Sequence, residues 1–463
     1  MIAPGRRAAV EVLRVVTRTS ATLPDALARA TARLQDDRDR HLAAEIATGT
    51  LRMQAALDHV IGALSRRPVA RLEPAVLDVL RATAYQLIHL DRLPAHAVVN
   101  DAVELTREAG RAAAAGLVNA VARRLADPAA RPALPPRPAC PIAAGAAGSP
   151  EREVAAWLDY LSITLSHPRW LAERLLKRLG SAAAEAWCRA DNERAPLTLR
   201  ANTLRVSRDA LAAQLAACGV DTEPCRYAAD GLIVRGGHPL STPLAATGLF
   251  VPQDEASQLV GAFAAAQPGE VVLDACAAPG GKTLALAAAL SGRGVLVAMD
   301  LRPRRVALLA RTLALAAPHA VHVLRADLSA GAPVGPVCDL VLLDAPCSGL
   351  GTIRREPELR WRRSPEDLAG FAARQVRLAE AASRAVKPGG RLVYATCSSE
   401  PEENDRVLDA FLARASTFTL DDPRDRMAGS PIAAVLDARG CLRTSPAEHG
   451  LEAFFAAILR RRL

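Results

Sequence analysis

The sequence predicts a multidomain protein, an all-α amino-terminal domain followed by an α/β domain on a parallel, doubly wound sheet. Three observations carry that expectation. The chain has 463 residues, more than one ordinary core accommodates. Apolar residues recur every three or four positions as far as about residue 126, the spacing of helices that bury one face. From residue 271 onward, short apolar runs alternate with longer periodic ones, the rhythm of strand–helix–strand units.

Taken in order, RAAVEVLRVV, DRHLAAEIATGTLRMQAALDHVIGAL, EPAVLDVLRATAYQLIHL and AVVNDAVELTREAG each gather apolar residues on one helical face. Residues 1–128 are therefore expected to form one helical domain. The stretch DPAARPALPPRPACPIAAGAAGSP is Pro, Ala and Gly with little periodicity, which predicts a linker over 129–150. Between 151 and 245, helical EREVAAWLDYLSITLSHPRWLAERLLKRLG gives way to strand-like PLTLRAN and GLIVRGG, a small mixed lobe. The last domain, 246–463, reads as strands VVLDACAAP, GVLVAMD, AVHVLRAD, DLVLLDAPCS and RLVYATCSS with helices between them. Ligands of such sheets bind beyond the carboxyl ends of the strands. Asp274, Asp300, Asp327, Asp344 and Cys397 all fall at such ends.

Half of the residues are hydrophobic and 23% are charged, a globular composition. The formal charge is +9, and only three of the 58 basic residues are lysines, Lys177, Lys282 and Lys387. Residues 1–150 hold 20 Arg against 14 Asp and Glu, a net +6, so the excess is concentrated in the helical domain. Nucleic acid is a fitting partner, because neutralising phosphates releases counterions; a solvated arginine face would give the same count. The nine cysteines show no Cys-x-x-Cys spacing, so no metal centre is expected. Cys188, Cys218 and Cys338 sit in apolar patterns, and all nine are expected as free thiols in a reducing cytosol. No apolar run reaches the roughly 18 residues of a membrane helix, and MIAPGRRAAVEVLRVV has no uninterrupted signal-peptide core. The expectation is a cytoplasmic monomer with no membrane contact.

Chemistry concentrates at the strand ends. In DACAAPGGKT, Pro279, Gly280 and Gly281 force a tight turn, and Thr283 opens a helix whose amides can face a nucleotide-like cofactor. The ending Gly281-Lys282-Thr283 resembles a Walker A loop, but that pattern needs Gly at position 276, where this chain has Cys276. Asp300 lies about twenty residues beyond the turn, where a carboxylate can accept from both hydroxyls of a ribose. Asp327 closes the next strand and could meet an adenine amino group, although either Asp alone would serve as a helix cap. Asp344-Ala-Pro-Cys347 and Thr396-Cys397-Ser398 bring two thiols to one edge. A buried apolar thiol is the plain reading of each. As a nucleophile a thiol needs activation, by positive charge or by the helix amino terminus that each following segment would supply. Lys282 stands out in an arginine-rich chain as a compact, orientable ammonium, expected to position a target base or Asp344.

The motifs LFVPQDEASQLV, DACAAPGGKT, LLDAPCSGLGTIRREPELRW and LVYATCSSEPEEN give residues 248–463 a close resemblance to the Sun (Fmu, or RsmB-like) family of ribosomal RNA cytosine-5 methyltransferases, which use S-adenosylmethionine. DRHLAAEIATGTLR, LDHVI and LPAHAVVNDAVELTR are similar to the NusB-type antitermination domain that this family carries in front of its catalytic part. The resemblance implies a NusB-like RNA-binding domain, an RNA-docking lobe and a Rossmann-like S-adenosylmethionine-dependent methyltransferase domain. It implies a cofactor loop of Cys276, Ala277, Ala278, Pro279, Gly280, Gly281 and Lys282, with Asp300 at the ribose, Asp327 near the adenine and Asp344 beside them. It further implies that Cys397 adds to carbon 6 of a flipped-out cytosine, that Asp344 manages charge or a proton at ring nitrogen 3, and that Cys347 serves release. The expected substrate is 16S ribosomal RNA before assembly is complete. Transfer RNA is the rival substrate, and a non-catalytic RNA-binding or antitermination factor is the rival class. Two departures stand out: Glu452-Ala453-Phe454-Phe455 where relatives have Asp-Gly-Phe-Phe, and CSGLGTIRR where a second Thr or Val is commoner.

Overall fold

The computed structural model describes residues 2–145, 150–317 and 321–463. The chain forms two compact units, Met1–Glu193 with Ile353–Arg363, and Arg194–Thr352 with Ser364–Leu463.

The first unit is helical: α1 (Pro4–Arg18), α2 (Leu23–Thr31), α3 (Asp37–Arg52), α4 (Gln54–Ser65), α5 (Pro74–His89), α6 (Ala95–Glu108), α7 (Ala115–Ala126), α8 (Glu151–Asp159) and α9 (Arg169–Asn192), the last broken at Gly180. Proline opens α1, α2 and α5, where its missing N–H is no loss. The periodic apolar residues meet inside: Val12, Leu13, Ile46 and Leu51 in one cluster, and Leu57, Ile61, Leu80, Val118 and Leu125 in another. Residues 131–145, expected within a linker, pack on this unit. Ile142 is buried; its N–H donates to Ser181 Oγ (2.8 Å), and its carbonyl accepts from the Ser181 amide (2.8 Å). Part of the expected linker, 146–149, lies outside the described residues.

A segment from far along the chain completes this unit. Ile353–Arg363 carries a one-turn helix, α14 (Leu359–Arg362), whose side chains serve the ends of other helices. Arg360 Nη1 donates to Ser166 O and Asn192 Oδ1 (each 2.9 Å), and Nη2 donates to Asp191 O (3.2 Å). Trp361 Nε1 donates to Leu51 O (2.6 Å), and Arg362 Nη2 donates to Val16 O (2.5 Å). Glu358 Oε1 accepts from the Leu23 amide (2.7 Å). The last turns of α1, α3 and α9 leave carbonyls without helical partners, and cations suit those ends as an anion suits the start of α2.

The second unit begins with an antiparallel sheet in the order β2-β3-β1-β4, formed by β1 (Thr198–Ala201), β2 (Asp221–Pro224), β3 (Gly231–Gly236) and β4 (Phe250–Pro252), with α10 (Arg208–Ala217) after β1. The expected lobe 151–245 is thus divided. Its helices α8 and α9 belong with the first unit, where Arg360 holds the end of α9, whereas α10 and the strands belong with the second, where β1 pairs with β4, beyond the expected boundary.

After α11 (Glu255–Phe263), the main sheet has the order β10-β12-β9-β8-β5-β6-β7, with β11 on β12. Its elements are β5 (Val271–Asp274), α12 (Gly281–Leu290), β6 (Val295–Asp300), α13 (Pro303–Ala316), β7 (His322–Arg325), β8 (Cys338–Asp344), α15 (Pro365–Ser383), β9 (Val386–Thr396), α16 (Asp405–Arg414), β10 (Phe418–Asp421), β11 (Leu442–Arg443) and β12 (Phe455–Arg461). The sheet is mixed: β5 to β9, the five strands read from the sequence, run parallel as expected, and beyond them β12 pairs antiparallel with both β9 and β10. An antiparallel strand needs no long crossover helix before it, and only a short one, Pro446–His449, lies between β11 and β12. Because β5 neighbours both β6 and β8, the winding reverses there, which opens a ligand crevice beyond the ends of β5 and β8. Those ends are Asp274 and Asp344.

All nine cysteines are free, as expected; Cys188 and Cys338 are buried, but Cys218, at the end of α10, is exposed. Among the described residues no helix is long and apolar enough to cross a membrane.

Candidate active site

The chain leaves β5 at Asp274 and turns into α12 through Gly280, whose φ of 111° strains any residue with a side chain. Thr283 Oγ1 donates to Asp274 Oδ2 (2.7 Å), and both residues are fully buried. Burial lifts the Asp274 carboxyl to about 7, against the opposing Thr283 hydrogen bond. Its Oδ1 finds no hydrogen-bond partner among the described residues.

A cavity of 370 Å³ lies over this turn, lined by Cys276, Ala277, Ala278, Pro279, Gly281 and Lys282 together with Asp274 and Asp344. Burial pushes the Cys276 thiol well up, so it serves as an apolar wall. The cavity also takes in Phe250, Gln253 and Ser257, to which sequence reasoning gave no role although they lie within LFVPQDEASQLV. Their signal was an apolar run ending in a polar cluster directly before a helix. Gln253 Oε1 is a second buried acceptor without a partner among the described residues.

Asp300 and Asp327 stand outside this cavity. Asp300 accepts from Arg305 Nε (3.0 Å) and the Arg302 amide (3.3 Å), and Arg305 Nη2 ties this pair to the loop through Ala278 O (2.6 Å). Asp327 is exposed and accepts from the Ser329 amide (2.9 Å) and hydroxyl (2.6 Å), the cap geometry weighed for an isolated Asp.

Lys282 Nζ donates to Asp344 Oδ2 (2.9 Å) and Ser257 Oγ (3.0 Å), and lies 5.4 Å from the centre of the Phe454 ring. The departure Glu452–Phe455 therefore touches the site at Phe454. Burial alone would lower the Lys282 pKa, but the Asp344 carboxylate outweighs it and, with Cys397, raises it. The ammonium stays charged and holds Asp344 in place.

β8 and β9 are parallel neighbours, with Asp344 opposite Ala395, so the two chains leaving them bring Cys347 Sγ and Cys397 Sγ to 3.1 Å. The hydrogen bond with Cys397 and burial both raise the Cys347 pKa well above the usual thiol range. Helix-terminus activation, expected for both thiols, is absent. Only a single tight turn, Leu350–Thr352, follows Cys347, and α16 starts at Asp405, well beyond Cys397.

Gly351 locks the two loops together: its amide donates to Cys397 O (3.0 Å), and its carbonyl accepts from the Ala453 amide (2.9 Å). A Cβ there would lie 1.9 Å from Ala453 O and 2.8 Å from Cys397 O. Gly351→Ala is expected to shift the Cys397 loop and lower turnover by about 100-fold. Steady-state turnover, with ligand binding measured in parallel, checks this.

The family model described as "16S rRNA methyltransferase RsmB/F" matches residues 262–460, "NusB family" matches 4–127, and "Methyltr_RsmF/B-like, ferredoxin-like domain" matches 167–241. The chain is 35% identical over 411 residues to "Ribosomal RNA small subunit methyltransferase B" of Pseudomonas putida, covering 88% of this chain and 89% of that one. It belongs to that methyltransferase family. The protein of the same name from Vibrio cholerae is 33% identical over 473 residues, covering 98% of this chain and 97% of that one. Among solved structures, "Crystal Structure of PH0851" is similar over 100% of this chain and 99% of that one, with a TM-score of 0.80 and 26% identity. A methyltransferase homolog from Pyrococcus horikoshii covers 68% of this chain and all of its own, with a TM-score of 0.57 and 29% identity.

S-adenosylmethionine is the cofactor of this methyltransferase, and the cavity suits it. Two buried acceptors without partners among the described residues, Asp274 Oδ1 and Gln253 Oε1, match a ligand rich in N–H and O–H donors. The apolar walls from Cys276 to Pro279 suit its carbon skeleton. Cys276 to Pro279, Gly281 and Lys282, with Asp274 and Gln253, would hold it, and Gly280 shapes the turn without lining the cavity.

Proposed function

We propose that this chain methylates carbon 5 of a cytosine in 16S ribosomal RNA, through a covalent bond from Cys397 to carbon 6. The observation that carries the reading is Cys397 Sγ at 3.1 Å from Cys347 Sγ, at the ends of β8 and β9 where Lys282 holds Asp344. The cofactor supplies a methyl group on a positively charged sulfur. Attack by the Cys397 thiolate on carbon 6 pushes electrons onto ring nitrogen 3, where Asp344 manages the developing charge or proton, and makes carbon 5 nucleophilic. The base must leave its helix to be reached.

After methylation a base removes the remaining carbon 5 proton and Cys397 departs as thiolate. Cys347, held as a thiol, is placed to give its proton to that sulfur. Lys282 acts through Asp344. In the same reading Asp300 meets the cofactor's ribose and Asp327 its adenine, supported by their positions at the ends of β6 and β7. The protein works in the cytoplasm, as a monomer, on RNA not yet assembled.

Purified protein, labelled S-adenosylmethionine and unmodified 16S ribosomal RNA test this, with transfer RNA in a parallel reaction. Label in ribosomal RNA at a cytosine resistant to bisulfite is the expected result. RNA binding without transfer would sink the enzyme reading, and label confined to transfer RNA would move the substrate.

A further inference from the structure

Beneath the two cysteines lies a carboxylate to which the proposed chemistry gives no part. Glu403 is fully buried, and among the described residues no lysine or arginine forms an ion pair with it. Its Oε1 accepts from the Ser348 amide (2.8 Å) and Gln375 Nε2 (2.9 Å). Its Oε2 accepts from the hydroxyls of Ser348 and Ser398. Ser348 follows Cys347 and Ser398 follows Cys397, so one carboxylate grips the residue after each sulfur. The grip is itself held: Tyr394 OH donates to Glu403 O (2.6 Å), and Gln375 Nε2 also reaches Pro346 O (3.1 Å). Next in the chain, Asn404 accepts from Thr396 Oγ1 (2.6 Å) and donates to Ser398 O (2.9 Å), binding the residues on either side of Cys397.

A buried carboxylate without a cation is costly unless donors satisfy it. Four donors do so here, and all but Gln375 come from the two cysteine loops. We propose that Glu403 is the positioning residue that sets the two sulfurs at working distance, with Ser398 as its arm to the nucleophile and Ser348 as its arm to the releasing thiol. This rests on the cysteine roles given above. Its negative charge has a second consequence. After the Cys397 hydrogen bond, burial and the charge of Cys397, it adds to what keeps Cys347 protonated.

The arms predict opposite lesions. Ser398→Ala should slow formation of the covalent RNA adduct by about tenfold, because the attacking sulfur loses its hold. Ser348→Ala should leave adduct formation near normal and slow its breakdown by a similar factor, so that adduct accumulates. Glu403→Ala should lower turnover by about 100-fold with KM for RNA unchanged, as misplacement by about an ångström does. Glu403→Gln should rescue much of it, because an amide oxygen can take the two N–H donors while the hydroxyls rotate to accept.

Adduct formation and decay, followed on denaturing gels with the full chain, and melting by circular dichroism give the readouts. Opposite lesions from the two serines, with melting unchanged, support the proposal. Equal effects from both, or normal turnover in Glu403→Ala, overturn it. If Glu403→Ala fails to fold, the serine pair and Glu403→Gln decide. An adduct that still forms in Cys397→Ala would instead sink the reading beneath.

Discussion

Replacing Cys397 by alanine is expected to abolish both product and covalent RNA adduct, lowering methyl transfer by roughly 10⁴-fold or more. Replacing Cys347 by alanine is expected to do something different: one methyl per enzyme is transferred and the adduct persists. The asymmetry follows from chemistry and geometry together. In the proposed mechanism carbon 5 of cytosine becomes nucleophilic only after a sulfur has added at carbon 6, so loss of the attacking sulfur stops everything downstream. Cys347 meets Cys397 at 3.1 Å, and its own pKa is pushed up, first by that contact and then by burial. It is the sulfur that keeps a proton, and what a protonated neighbour can do is help the other sulfur leave. Labelled methyl incorporation against enzyme concentration, with denaturing gels for the adduct, separates the two variants. A persistent adduct in Cys397→Ala with none in Cys347→Ala would reverse the roles.

Much of the site was legible because the sheet puts chemistry at the ends of apolar runs. Asp274, Asp344 and Cys397 each end such a run, and all three sit at the crevice where β5, β8 and β9 stop. Asp300 and Asp327 share that pattern beside the cavity rather than in its lining, and each also has a partner within the chain. A strand-end carboxylate can equally be claimed by a nearby donor, Arg305 in one case and Ser329 in the other, and sequence spacing does not distinguish the two uses.

Glu403 was illegible for a related reason. In SSEPEEN an acidic residue reads as a solvated turn, and only the return of β9 beside β8 buries it between two loops fifty residues apart. The division at Glu193 was hidden by sequence distance, since the segment that completes α9 comes from Ile353–Arg363. Nor does REPELRW look like a core segment, for in an arginine-rich chain a buried Arg360 carries no local mark.

Arg360 gives the largest expected effect on stability. Its side chain is fully buried, and burial lowers its pKa to about 10, so it remains charged at neutral pH. Among the described residues no carboxylate bonds to it directly; its acceptors are Ser166 O ahead of α9, Asp191 O and Asn192 Oδ1 at the end of α9, and Arg52 O at the end of α3, at 3.4 Å. Removing the guanidinium leaves those acceptors buried and unpaired, a loss of the kind that costs about 3–5 kcal/mol. Arg360→Met is therefore expected to destabilise the first unit by about that amount. Arg360→Lys keeps the charge but lacks the planar fork that spans several carbonyls, and should fall between. Arg362→Ala, at a less buried position, should cost less. All four tryptophans, Trp157, Trp170, Trp187 and Trp361, belong to the first unit, so tryptophan fluorescence in a denaturant titration of the full chain reports that unit's transition. A midpoint for Arg360→Met within error of the parent would mean that the helix ends do not depend on this clasp. A shifted midpoint would show that the segment just after the Cys347 loop holds the helical unit together.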